Sequence, residues 1–167
     1  MANDQMTNLR IGLGHDTHRL EEGRPLVLGG HRIAHPRGLA GHSDADVVCH
    51  AVIDAILGAA GLGDIGEHYP DTDPRWRGVE STKLVEEVVE RFEQAGWRVV
   101  NCDVIIHAQE PKLTPHKPAI RANLARLLRV DETAVNVKAK TGEHVGPVGR
   151  GEAIVCEVVV LVSQWKD

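Results

Sequence analysis

Residues 43–60, SDADVVCHAVIDAILGAA, place Val47, Val48, Ala51, Val52, Ile53, Ala55, Ile56 and Leu57 at helical spacing. The spacing predicts a helix from Ser43 to Ala60 with a broad buried face. Ser43 followed by Asp46 resembles a capping box, with Asp where Glu or Gln is usual. Before this helix, Leu9–Gly14 and Pro25–Gly30 read as short strands, and HPRGLAGH at 35–42 has loop chemistry. After it, GLGDIGEHYPDTDPRWRG at 61–78 is long for a bare connection and dense in Gly, Pro and Asp, which favours a functional loop.

Ser81 is expected to cap a second helix carrying Leu84, Val85, Val88, Val89 and Phe92, with Gly96 as its stop. A strand at Arg98–His107 and a third helix at Pro115–Leu128 follow. Two last strands, Val135–Ala139 and Ala153–Val162, flank the glycine-rich TGEHVGPVGRG. This order predicts an α+β fold, a single-domain mixed β-sheet with helices packed on one face. Residues 1–8 are expected to form a flexible tail and 9–167 the catalytic domain. The last strand, AIVCEVVVLV, is apolar at nearly every position, so both its faces should be covered. Helices on one face leave the other for a second subunit.

The 167 residues are 42% hydrophobic but only 3% aromatic, so the interior must be built from Val, Ile, Leu and Ala. A net charge of −5 without a basic run argues against nucleic acid and anionic membrane as partners. Three separated cysteines suggest neither a disulfide framework nor a thiolate zinc knuckle. The opening MANDQMTNLR lacks a signal-peptide core, and no run reaches the ~18 apolar residues of a membrane span. A cytoplasmic location is the simplest expectation. At this length a second, fused domain is not expected.

Asp16 and His18 stand two apart at the end of the first strand and so point the same way. On the long helix, His50 lies one turn after Asp46 and one turn before Asp54. Two imidazoles and a carboxylate with a fourth position open form a catalytic zinc ligand set. With ten histidines in the chain, a buried, hydrogen-bonded His50 is the alternative. Asp46 and Asp54 read either as partners fixing the imidazole tautomer or as solvated helix acids. His42 and Ser43, before the helix, suit a phosphate or a plain cap. Gly12 and Gly14 do not make a dinucleotide fingerprint, because Thr17 stands where a glycine is needed. Lys140–Arg150 reads as an anion-binding loop or as an ordinary hairpin connection.

Taken together, GHDTH at 14–18, HSDADVVCHAVIDAILGAAGLGDIG at 42–66, YPDTDP at 69–74, AQEPKLTPH at 108–116 and KTGEHVGPVGRGE at 140–152 resemble the cyclodiphosphate synthase family of the non-mevalonate isoprenoid pathway. The likeness spans nearly the whole chain after the tail. It implies a homotrimer with active sites at subunit boundaries. It also implies a phosphorus–oxygen lyase converting 4-diphosphocytidyl-2-C-methyl-D-erythritol 2-phosphate to the cyclic diphosphate and CMP. By resemblance, Asp16, His18 and His50 hold zinc or another divalent transition metal. Glu143 helps hold magnesium or manganese through the substrate diphosphate.

His42 and Thr141 match transition-state stabilisers, and Asp16, Thr17, His18, His42 and Ser43 match substrate contacts. Asp64, Ile65 and Gly66, with Tyr69, Pro70, Asp71, Thr72 and Asp73, match the lining of the erythritol part. Ala108, Gln109, Glu110, Pro111, Lys112, Leu113 and Thr114 match a cytidine-binding loop. Lys140, Thr141, Gly142, Glu143, Pro147 and Arg150 complete the implied substrate set. Lys140 and Gly142 depart from the hydroxyl residues expected beside Thr141, and Pro147 stands where a Phe is familiar. An isoprenoid diphosphate at the trimer axis is a further implied ligand. A trimeric sensor without turnover and a zinc phosphohydrolase are the competing functional classes.

Overall fold

Alternation along one long strand sets the architecture. In the computed structural model, which describes residues 6–165, β1 runs Met6–Glu22. Its even positions Gly12, Gly14, Asp16 and His18 are buried or half-buried, whereas Ile11, Leu13, His15 and Thr17 are exposed. Of the segment expected as a tail, residues 1–5 lie outside the described residues. Met6–Asn8 belong to β1, where Met6 pairs with Trp165.

After β1 come β2 (Leu26–Leu28), β3 (His31–Ile33) and β4 (Arg37–Leu39), then α1 (Val47–Ala60), α2 (Ile65–His68) and α3 (Ser81–Gln94). The chain continues through β5 (Trp97–His107), α4 (Lys117–Leu128), β6 (Val135–Lys140), α5 (Gly146–Gly149) and β7 (Ala153–Trp165). Five strands form one sheet in the order β4-β1-β7-β5-β6, parallel only between β5 and β6, and β2 and β3 pair separately. The mixed sheet with a helical layer is therefore as expected.

α4 packs against α3 and β6, and α1 lies on β1 and β7 with α3 beside it. Its approach is close enough to require glycine. A Cβ at Gly12 would fall 1.8 Å from the Ala55 carbonyl oxygen, and one at Gly14 would fall 1.8 Å from that of Ala51. These glycines fit a helix to a strand, and that contact carries His50 over Asp16 and His18.

Helix starts differ from expectation. α1 is capped by Asp46, whose carboxylate accepts from Val48 N and Cys49 N, because Ala45 takes a left-handed φ of 58° and turns Ser43 off the helix axis. Asp46 is fully buried and also accepts from Gly29 N at 2.8 Å and Gly30 N at 2.7 Å, tying the β2–β3 turn to the helix. Burial raises its pKa, against the pull of these backbone bonds. Ser81 is the first residue of α3 rather than its cap, and α4 begins at Lys117. The 61–78 loop holds α2 and a 3-10 turn at Pro74–Trp76, elements too short to show a period.

On β7, Ile154, Cys156, Val158, Val160 and Val162 are fully buried under the helices. The opposite face is open. Ile11 pairs with Leu161 and Leu13 with Val159, and Ile11, Leu13 and Val159 are 72%, 68% and 43% exposed. One chain leaves this apolar patch uncovered.

Candidate active site

Where β1 ends under the start of α1, three ligand atoms converge. Asp16 Oδ2 lies 2.9 Å from His18 Nε2 and 3.0 Å from His50 Nδ1, and the two nitrogens are 3.0 Å apart. Donors on a tetrahedral zinc ion at 2.0–2.1 Å stand ~3.3 Å from one another, so this triangle fits one face of such a site with little movement. Among the described residues this is the group of three able to hold a metal ion. The remaining polar atoms are engaged from behind. Asp16 Oδ1 accepts from Thr17 N at 2.8 Å, His18 Nδ1 lies 2.6 Å from Ala40 O, and His50 Nε2 lies 2.9 Å from Ser81 Oγ. Such outer contacts fix the ring orientation of a metal-binding histidine.

Burial pushes the Asp16 carboxyl up, but hydrogen bonds from His18 and His50 outweigh it and hold the group well below the carboxylate range. Burial depresses His18, and its Asp16 partner more than restores it, leaving the imidazole raised. The other acids of the α1 stripe do not orient His50. Asp46 is a cap, and Asp54 accepts from Ile65 N at 2.8 Å, joining α1 to α2.

The triad opens into a cleft of about 490 Å³. Of the residues expected at the substrate, His42, Ser43, Ile65, Gly66, Tyr69, Pro70 and Asp71 line it, and Gly41, Trp76, Val79 and Leu84 line it too. His42 Nε2 reaches toward Asp73 O at 3.4 Å, and Asp73 itself is taken by Arg75. Tyr69 packs edge-on to Trp76 with ring centroids 5.0 Å apart, and burial pushes its phenol up to about 12. Thr17 points to the open face, and Asp64 caps α2 through Glu67 N. Thr72 is exposed beyond the lining.

A second cavity of about 290 Å³ is lined by Ala108, Gln109, Pro111, Lys112, Leu113, Thr114, Ala139, Lys140 and Thr141. β1, β5 and β6 run the same way, so both cavities lie at one end of the sheet. Thr17, Val155, His107 and Lys140 form one row across it, and three strand spacings put Thr17 about 14 Å from Lys140. Thr141 Oγ1 donates to Glu143 Oε1 at 2.6 Å, and Glu143 is exposed, outside the triad. Gly142 lies close against Gly149 and Val145, Arg150 pairs with Glu152, and Glu110 and Pro147 are exposed. One chain thus gathers the triad in one cleft and much of the 108–114 loop in another.

A mixed sheet with one helical layer and a candidate metal centre at the floor of a small-molecule-sized cleft define an α+β protein with a candidate metal site. The model of the YgbB family matches residues 9–163, and the chain belongs to that family. A 2-C-methyl-D-erythritol 2,4-cyclodiphosphate synthase of Bordetella avium is 56% identical over 155 residues, covering 93% of this chain and 96% of the relative. A solved structure of such a synthase in a CDP-bound form superposes with a TM-score of 0.84 at 42% identity, covering 92% of this chain and 99% of the other. The bifunctional IspDF of Campylobacter jejuni gives a TM-score of 0.92 at 41% identity, covering 96% of this chain. This chain spans only 44% of that longer protein. The family expected from the sequence motifs is therefore the family found. Among the described residues, no helix is long and apolar enough to cross a membrane.

Proposed function

We propose that this protein converts 4-diphosphocytidyl-2-C-methyl-D-erythritol 2-phosphate to 2-C-methyl-D-erythritol 2,4-cyclodiphosphate and CMP, as a metal-dependent lyase. The carrying observation is the convergence of Asp16, His18 and His50 at the cleft floor in a chain of the YgbB family. The substrate's 2-phosphate oxygen attacks the β-phosphorus, and the bond from that phosphorus to the bridging oxygen breaks. CMP leaves with the bridging oxygen, so no protein nucleophile is needed. Zinc at the triad, with magnesium or manganese helped by Glu143, would neutralise the phosphoryl oxygens and lower the barrier by several kcal/mol.

The chain's own groups supply the rest. His42 and Ser43 hold phosphate at the mouth, and Ile65, Gly66 and Tyr69 to Asp71 enclose the methylerythritol part and exclude water. Thr141 presents its hydroxyl toward the diphosphate. Lys112 and the backbone of Ala108–Thr114 read the cytidine, a ligand class supported by the CDP-bound neighbour.

The same proposal includes a homotrimer working in the cytoplasm. The uncovered Ile11, Leu13 and Val159 support burial against other copies. The separation of the two cavities in one chain supports a site completed across a subunit boundary. Metal-controlled CMP release by His50→Ala and Glu143→Ala variants tests the chemistry. Both should be strongly impaired, and undiminished release by both would remove the metal-dependent reading.

A further inference from the structure

We propose that Ser81 and Asp44 are positioning residues for His50, a role that rests on the metal-dependent reading above. The two ring nitrogens of His50 have different duties. Nδ1 lies 3.0 Å from Asp16 Oδ2 and from His18 Nε2, so a cation held there needs Nδ1 as a bare lone pair. The proton must then reside on Nε2, which faces Ser81 Oγ at 2.9 Å and Ser43 Oγ at 3.1 Å.

A hydroxyl both donates and accepts, so a serine alone selects neither tautomer. Asp44 removes that freedom. Its carboxylate only accepts, and Ser81 Oγ donates to Asp44 Oδ1 at 2.5 Å. With its proton committed, Ser81 offers His50 only lone pairs. With a cation at Nδ1, the hydrogen bonds therefore run one way, from His50 Nε2 to Ser81 to Asp44. Ser43 depends on the same pair: its hydroxyl accepts from Ala45 N at 3.1 Å and lies 3.3 Å from Ser81 Oγ, to which it can donate once the Ser81 proton is committed to Asp44.

The pair is fixed independently of His50. Ser81 is fully buried, its backbone N–H donates to Asp44 Oδ2 at 3.1 Å, and Asp44 N donates to Val79 O at 3.0 Å. α3 receives no side-chain cap bond from its own Glu80, so Asp44 caps it from another segment. His18 is oriented differently, by the Ala40 carbonyl. A side-chain substitution can thus release His50 while leaving the support of His18 in place.

Zinc affinity is to be measured by competition with a chromophoric chelator for the wild type, S81A, D44N and S81T, with cobalt(II) absorption reporting the coordination sphere. Thermal unfolding of the metal-free proteins checks that each is folded. S81A should weaken zinc about 10- to 100-fold and D44N about 10-fold, both with an altered cobalt spectrum, while S81T stays within about threefold of wild type. Unchanged affinity and spectrum in folded S81A and D44N would overturn the positioning role and leave the metal site intact. Wild-type protein that takes up no zinc would instead remove the metal reading itself. If S81A does not fold, folded D44N decides: weakened zinc and an altered cobalt spectrum support the role, and wild-type affinity and spectrum overturn it.

Discussion

The two cavities at one end of the sheet differ in how much of each a single chain completes. In the larger, Asp16, His18 and His50 are backed by Thr17 N, Ala40 O and Ser81, and α1 rests on the bare backbone of Gly12 and Gly14. In the smaller, Lys112, Lys140 and Thr141 are exposed, and neighbouring exposed Glu143 accepts from the Thr141 hydroxyl. Rigid support is concentrated where ligand atoms must hold fixed distances. The side of Lys112, Lys140 and Thr141 is left open in one chain, which is where the proposed reading puts substrate and a second copy.

The strongest test of this contrast is His50→Ala, which takes one corner from the triangle. Zinc content should fall and CMP release should drop by about 10³-fold, equivalent to ~4 kcal/mol of barrier. Metal analysis and product release from the same sample check both together. Glu143→Gln acts on the open side, and we expect about a 10²-fold loss of CMP release with zinc retained. Loss of zinc in that variant would show that the two halves are not separable.

Ile11→Asp places a carboxylate in the apolar patch on the uncovered face. Association should weaken by about 30-fold or more, roughly 2 kcal/mol, seen by sedimentation velocity, while each chain keeps its zinc. An unchanged assembly would show that subunits meet elsewhere. The smallest effect is expected for Lys112→Ala, a rise in KM of about fivefold at nearly constant kcat, as for loss of one exposed charge contact. An equal fall in kcat would place Lys112 in the reacting centre.

Much of the metal end was legible in the sequence because its residues obey local periods. Asp16 and His18 share a strand face, and His50 sits on a helix whose apolar spacing is clear. What brings them together was not legible. Gly12 and Gly14 invite comparison with a dinucleotide motif, and only the packed structure shows Ala51 and Ala55 resting on them. Capping was misread for a similar reason. Ser43 and Asp46 have box spacing, yet Asp46 caps α1 because its carboxylate also gathers Gly29 and Gly30 from a distant turn. Ser81, likewise read as a cap, is bound by Asp44 from 37 residues away, a contact no local window contains. The apolar run of β7 predicts cover on both faces; one face lies under the helices, and on the other Val159 and Leu161 pair with exposed Leu13 and Ile11.

Incubation of the zinc- and magnesium-loaded protein with 4-diphosphocytidyl-2-C-methyl-D-erythritol 2-phosphate, followed by phosphorus NMR and CMP quantification, is the decisive measurement. Cyclic diphosphate and CMP should appear in equal amounts. Tight binding with substrate unchanged, or a hydrolysed phosphate in place of the ring, would contradict the proposed synthase reaction.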